Sequence, residues 1–312
     1  ALHGVELSVT DAVPTLENAS LAAGCIGVSI LGQGCIDAAL LDAYHALGIR
    51  YLSTRTIGYD HIDLDHARSI GLRVCSASYA PNGVADFTVM MILMCLRHYK
   101  QALWRGQVND FSLTGLQGRE MKDLTIGIIG TGRIGAQVAR NLSGFGCRIL
   151  AYDLRRNPAV EPQVTYVDFD TLLAQSDVIT LHMPLLDSNR HIINRESIAK
   201  MRDGVVIVNC SRGELADIEA LIEGIETGKI GALGMDTVEG DEGIIHADHR
   251  VDILPNRNWF YLHQFRNVIM TQHMAFYTDA AVSSMVDCGI GGGVCQMAAG
   301  ESCPTELTGP VQ

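Results

Sequence analysis

The sequence has no long hydrophobic run, no basic stripe and no paired-cysteine motif. Its longest strongly apolar stretch, residues 89–96, falls far short of the ~20 residues that cross a bilayer, and no basic start followed by an apolar segment marks a secretion signal. A membrane partner is therefore not expected. Lys and Arg together number 23 against 35 Asp and Glu, for a net charge of −12. A phosphate backbone would be repelled from most of such a surface, so nucleic acid is not expected as a partner either. The nine cysteines are an odd number, scattered and without a CxxC pair. A chain this long needs no disulfide staples, so they read as reduced thiols of a cytoplasmic protein, and no zinc-ligand spacing points to a metal.

What is present is enough material for two cores: 312 residues, 47% of them hydrophobic. Short β-branched runs at 25–30, 50–53 and 72–76 alternate with a helical pattern at 36–47, which predicts a small open parallel α/β domain. Residues 1–10 already read as a strand without an initiator Met, and a strand and helix are expected ahead of them. The stretch 86–107 predicts one long helix, apolar on almost every side up to Arg97. Such a helix must be covered all round, and a subunit interface is favoured over a core between domains. A polar loop at 109–123 follows. A second series then predicts strands at Thr125–Ile129, Arg148–Tyr152, 178–182, Val205–Asn209, Ile230–Met235 and 268–271. Five strand–helix units in a row describe a six-stranded dinucleotide-type sheet. The tail begins as an amphipathic helix at Thr278 and runs into Gly289, Gly291, Gly292 and Gly293, at about 1 kcal/mol each in a helix interior; the pattern supplies no reason for them.

Gly130-Thr-Gly132-Arg-Ile-Gly135 follows the apolar strand 126–129 and opens the helix at 134–142. Gly130 permits the tight turn, Gly132 close approach to a pyrophosphate and Gly135 close helix packing, with helix N–H groups facing the anion. The next strand ends in Asp153, where a carboxylate meets the adenosine ribose hydroxyls, and this favours NAD over NADP. Arg155 and Arg156 could hold a 2′-phosphate, but Asp153 would repel it at close range.

Polar residues gather at the ends of the later strands: His182-Met183-Pro184, Asn209-Cys210-Ser211-Arg212, Asp236 and His273. Ligands bind at that edge of an open α/β sheet. Hydride chemistry on a keto acid needs a proton donor, a cation for the carboxylate and an acid to tune the donor. His273, Arg212 and the acids Glu239, Asp241 and Glu242 offer all three, while His182, His246, His249 and His263 read as structural.

Five stretches in order now carry a resemblance: Arg55-Thr-Ile-Gly-Tyr-Asp-His-Ile-Asp63, Tyr79-Ala-Pro-Asn82, the glycine loop, Val208-Asn-Cys-Ser-Arg-Gly213 and His273-Met-Ala-Phe-Tyr-Thr278. The chain resembles the D-isomer-specific 2-hydroxyacid dehydrogenase family, its D-lactate, D-2-hydroxyisocaproate and (R)-2-hydroxyglutarate branch in particular. The resemblance implies a Rossmann-type doubly wound NAD-binding domain, 79–274, and a smaller flavodoxin-like α/β substrate domain, 1–78 with 275–312, closing on a hinge, in a homodimer. It implies that Arg212 holds the substrate, His273 passes the proton and Asp241 orients the histidine. Gly130, Gly132, Arg133, Ile134, Gly135 and Asp153 would hold NAD, with Met183, Pro184, Asn189, Cys210 and Ser211 lining its cleft and Asp236 facing the nicotinamide. Ile57 and Gly58 would meet the substrate carboxylate, and Tyr79, Phe276 and Tyr277 would wall a pocket for a branched or aromatic keto acid, or for pyruvate.

The chain departs from the family pattern at Asp241, where the family has Glu, at Gln272, where it has Pro, and in the terminal glycine run. The shorter acid keeps a second reading open, a non-enzymatic NADH-sensing or corepressor-like module on the same fold.

Overall fold

In the computed structural model, which describes residues 6–32, 34–254 and 256–309, strand and helix alternate along two units. One comprises Ala1–Ala80 with Tyr277–Gln312, the other Pro81–Phe276.

The first unit starts with β1 (Gly27–Ile30), α1 (Ala38–Ala46), β2 (Tyr51–Thr54), α2 (Leu64–Ser69) and β3 (Arg73–Cys75). The strands pair in parallel in the order β1-β2-β3. Asp37 and Asp63 fix the two helix starts, accepting from the backbone N–H of Leu40 and His66 at 2.9 Å each. Ile36, Leu41, Ile49, Leu52 and Val74 are fully buried between the layers, and each such side chain contributes about 1.5–3 kcal/mol. The strand expected at 1–10 is not found: residues 1–5 lie outside the described residues, and 6–10 form no strand. Val9 is 90% exposed, so no face there is buried to set a register.

The second unit opens with α3 (Asn82–Leu96) and α4 (Tyr99–Gln107), two helices where the sequence predicts one. His98 between them has a left-handed backbone (φ 52°). The carbonyl of Leu96, which a continuing helix would bond, instead accepts from the N–H of Arg119 at 3.1 Å. A Cβ on Gly118 would come within 2.5 Å of that oxygen, so the returning loop needs glycine there. Along α3, Met91, Ile92 and Cys95 are buried, whereas Met90 is 41% exposed. Val89, Met90, Leu93 and Met94, with Asp86 and Asn141, line an open depression of about 550 Å³.

Next come β4 (Thr125–Ile129), α5 (Arg133–Ser143), β5 (Arg148–Tyr152), β6 (Thr165–Tyr166), α6 (Phe169–Gln175), β7 (Val178–Leu181) and α7 (Arg195–Lys200). The series ends with β8 (Val205–Asn209), α8 (Ile218–Glu226), β9 (Ile230–Met235), α9 (Arg257–Gln264) and β10 (Val268–Met270). The sheet has seven parallel strands, one more than the six expected, in the order β10-β9-β8-β7-β4-β5-β6. The addition, β6, is two residues long, too short to show a period. Strands β4, β7 and β8 are buried throughout, as continuous apolar strands between helix layers must be. The order reverses between β4 and β7, which makes their C-terminal ends the place where a doubly wound sheet binds ligands.

The tail returns to the first unit as α10 (Asp279–Val286) followed by a π-helix, Asp287–Cys295. The glycine run belongs to this segment, which packs on β1, β2 and β3. A Cβ on Gly289 would stand 2.8 Å from Cγ of Arg55, and one on Gly293 would run into Sγ of Cys75. Gly289 and Gly293 let the helix backbone lie close on the sheet.

Candidate active site

The glycine loop is fixed from beneath. Gly130 has φ 94°, and a Cβ on it would be 2.6 Å from the carbonyl oxygen of His182. A Cβ on Gly135 would collide with the carbonyl of Gly130. Gly132 differs, with nothing within 4 Å of its Cβ position. That open space lies at the start of α5, whose first-turn N–H groups find no acceptor within a helix. A pyrophosphate fits this cradle, and Arg133 and Ile134 begin the helix that presents it.

Asp153, just after β5, is held firmly. One oxygen accepts from the N–H of Thr131 at 2.6 Å and its hydroxyl at 3.1 Å, the other from the N–H of Arg155 at 3.0 Å. Thr131 is itself fixed by the Tyr166 hydroxyl at 2.8 Å and by the Asn157 amide at 2.8 Å to its carbonyl. Arg156 lies over the Tyr166 ring, 5.5 Å from its centre. The Asp153 carboxylate is thus a fixture of the loop. Thr131, Asn157 and Tyr166 were not singled out from the sequence; only Thr131 carried a signal, its place inside the glycine motif.

The loops after β7 and β8 interlock. The Ser211 hydroxyl donates to the carbonyl of Met183 at 2.6 Å, and the Asn189 amide to the carbonyl of Pro184 at 2.8 Å. The Asn209 amide donates to the carbonyl of Arg212 at 2.7 Å and accepts from the N–H of Ser211 at 3.0 Å, so a buried side chain shapes the turn that carries Arg212. The guanidinium of Arg212 reaches back to the Ser211 carbonyl at 2.9 Å. Cys210 is buried, and burial pushes its thiol up. His182 bonds the Thr180 hydroxyl at 2.9 Å, and its Nδ1 is shut off from solvent; burial pushes the imidazole down to about 3. It is a neutral structural histidine.

Beyond β9, Asp236 is 1% exposed. One oxygen accepts from the Thr271 hydroxyl at 2.5 Å and the N–H of Met274 at 2.9 Å, the other from the N–H of Ala275 at 2.9 Å. These bonds bracket His273, whose backbone is left-handed (φ 52°), so Asp236 fixes the loop that displays the imidazole. The Phe276 ring lies edge-on to that of His273, 6.4 Å between centres.

The acidic cluster separates into three environments. Glu239 pairs with His191 at 2.7 Å and Arg190 at 3.1 Å, and Glu242 is exposed. Asp241 is half-buried and accepts from the N–H of Val238 at 3.2 Å. Burial raises its carboxyl to about 6; the Val238 N–H and His246 pull it down, and Glu214 and Asp236 push it up. Gly213, the end of the Val208–Gly213 motif, brings the Arg212 loop against the turn after β9, since a Cβ there would stand 2.5 Å from the Val238 carbonyl oxygen. Arg212, Asp241 and His273 are therefore placed by adjoining loops at the ends of β8, β9 and β10.

The remaining named positions lie in the first unit. The Thr56 hydroxyl donates to the carbonyl of Gly58 at 2.6 Å and bonds that of Thr54 at 2.6 Å, which sets the Ile57–Gly58 turn. Tyr79 is half-buried and Tyr277 is 68% exposed. Among the described residues no group of three or more His, Cys, Asp or Glu could hold a metal ion, and no helix is long and apolar enough to cross a membrane.

A family model for the NAD binding domain of D-isomer specific 2-hydroxyacid dehydrogenases matches residues 89–275. The aromatic 2-oxoacid reductase of Clostridium sporogenes is 42% identical over 287 residues, 91% of this chain and 86% of that one. The D-lactate dehydrogenase of Escherichia coli is 37% identical over 306 residues, 97% of this chain and 93% of that one. A solved D-lactate dehydrogenase from Aquifex aeolicus, complexed with NAD and lactic acid, superposes with a TM-score of 0.87 at 31% identity, over 96% of this chain and 90% of that one. The chain belongs to the D-isomer specific 2-hydroxyacid dehydrogenase family. It is an NAD-dependent oxidoreductase that interconverts 2-keto acids and D-2-hydroxy acids.

Proposed function

We propose that the enzyme reduces a 2-keto acid with an apolar side chain, branched or aromatic, or pyruvate, with His273 as acid, Arg212 as carboxylate clamp and Asp241 as the partner of the imidazole. The observation that carries this reading is the placement of a guanidinium, a half-buried acid and an imidazole on three adjoining strand ends of one parallel sheet. Bound NADH supplies the hydride. Arg212 offers two parallel N–H groups to the substrate carboxylate and sets the keto group's orientation. His273 donates a proton to the carbonyl oxygen and recovers one from the alcohol in reverse. Asp241, ionised, favours the imidazolium. Asp236 keeps His273 in its strained backbone conformation.

For the cofactor, Gly130, Gly132, Arg133, Ile134 and Gly135 would hold the pyrophosphate and Asp153 the ribose, with Met183, Pro184, Asn189, Cys210, Ser211 and Asp236 lining the cleft. Ile57 and Gly58 would take the substrate carboxylate, and Tyr79, Phe276 and Tyr277 its side chain. The apolar character of these last three, and the aromatic 2-oxoacid named for the Clostridium sporogenes relative, support a bulky substrate. The test is loss of NADH absorbance with pyruvate, 2-ketoisocaproate, phenylpyruvate and 2-ketoglutarate. Preference for phenylpyruvate or 2-ketoisocaproate is expected; a preference for 2-ketoglutarate would overturn the substrate assignment.

A homodimer in the cytoplasm completes the proposal. Exposed Met90, Leu103 and Trp104, with Phe111 and Leu113 in the loop that follows, support a subunit contact along α3, α4 and that loop, and nine unbridged cysteines support a reducing compartment.

A further inference from the structure

The segment 243–256 between β9 and α9 takes no part in the mechanism above, yet it brings a second imidazole to the proton-transfer group. His246 has a left-handed backbone (φ 62°), as does His273 (φ 52°), and such conformations persist in non-glycine residues only under local constraint. Nε2 of His246 lies 3.3 Å from the carbonyl oxygen of His273. A carbonyl only accepts, so this nitrogen carries the hydrogen. The rings of His246, His273 and Phe276 form a near-equilateral triangle, with centres 6.2, 6.4 and 6.4 Å apart. His246 also acts on Asp241, drawing its carboxyl down against burial, Glu214 and Asp236.

We infer that His246 is a positioning residue for the proton-transfer pair: it ties down the backbone of His273 and follows directly on the turn that the N–H groups of Ile244 and Ile245 close on the Asp241 carbonyl. The inference rests on the assignment of Asp241 and His273 made above. Asp236 fixes the His273 loop through Thr271, Met274 and Ala275, and His246 holds the His273 carbonyl between those anchors. An Asp reaches about one methylene less far than a Glu, and misplacement by ~1 Å can lower a rate about 100-fold. A second donor on the His273 backbone offsets that loss of reach by restricting where the imidazole can go.

The test compares His246→Ala, His246→Gln and the double variant His246→Ala/Asp241→Glu in the full chain, reading kcat, KM, NADH affinity and the pH profile. His246→Ala should lower kcat about tenfold with NADH affinity unchanged. The Gln variant keeps an N–H for the carbonyl but no charge. It should recover most of kcat at alkaline pH while its acidic limb moves upward, because Asp241 loses the imidazole that draws its carboxyl down. With Asp241→Glu present, removing His246 should lower kcat less than about threefold. Unchanged kcat and acidic limb in both single variants, with His273→Ala inactive, would overturn the inference and leave the proton-transfer reading standing. Full activity in His273→Ala would instead remove that reading, and the inference with it.

Discussion

The roles proposed for His273 and Asp241 in proton transfer differ, and each has its own test. Replacing His273 with Ala should lower kcat about 10²–10⁴-fold while NADH binding, followed by fluorescence titration, persists, because the glycine loop and Asp153 are built independently of it. Asp241 titrates at about 6 rather than 3.8, so its ionised form, the one that supports an imidazolium, is lost as pH falls through 6. The rate of keto acid reduction should therefore fall below pH 6, where protonating the acid His273 would not lower it, and Asp241→Asn should remove that acidic limb. The same shift bears on stability. The folded state binds the Asp241 proton more tightly than the unfolded chain, so this group favours folding below pH 4 and that contribution is lost as pH rises through 6. Asp241→Asn should then raise stability at pH 7, by at most about 3 kcal/mol, measured by urea denaturation. A destabilised variant would contradict burial as the cause of the shift. At this scale the sequence showed the chemical types but not their environments. Glu239 and Asp241 read alike until the structure pairs the first with His191 and Arg190 and leaves the second beside His246.

Elements were legible where their own pattern determines them. Strands β4, β5, β8 and β9 match the expected bounds because each is a short, mostly apolar and mostly buried run. The rest depends on distant contacts. The break at His98 follows from Arg119 taking the Leu96 carbonyl, and Gly289 and Gly293 become intelligible only once the π-helix lies on β1–β3. Two predictions belong here. Gly135→Val would drive a side chain into the Gly130 carbonyl and should abolish NADH binding while the melting transition stays cooperative. Gly293→Ala would press a methyl on the Cys75 sulfur and should destabilise the first unit by about 1–3 kcal/mol; an unchanged Tm would mean that the π-helix is not held against the sheet.

For the molecule as a whole, sheet order and site location follow one rule: a parallel sheet that reverses direction between β4 and β7 gathers its loops at one edge. The glycine loop, Asp153, Arg212 and His273 stand at strand ends along that edge, and this much was readable from the order of strands and motifs. Whether a second copy covers α3 was not, because an apolar helix reads the same whether its own chain or another covers it. Trp104→Glu, which places charge on a 65% exposed indole position, should shift a dimer toward monomer in light scattering; an unchanged dimer would move the contact elsewhere.

The most direct test of the central claim, NADH-dependent reduction at this sheet edge, is the product formed from phenylpyruvate and NADH by the full chain and by His273→Ala. Chiral chromatography should give D-phenyllactate alone from the unaltered enzyme, in proportion to NADH consumed, and at most traces from the variant. The L-isomer, or equal product from both proteins, would contradict the account.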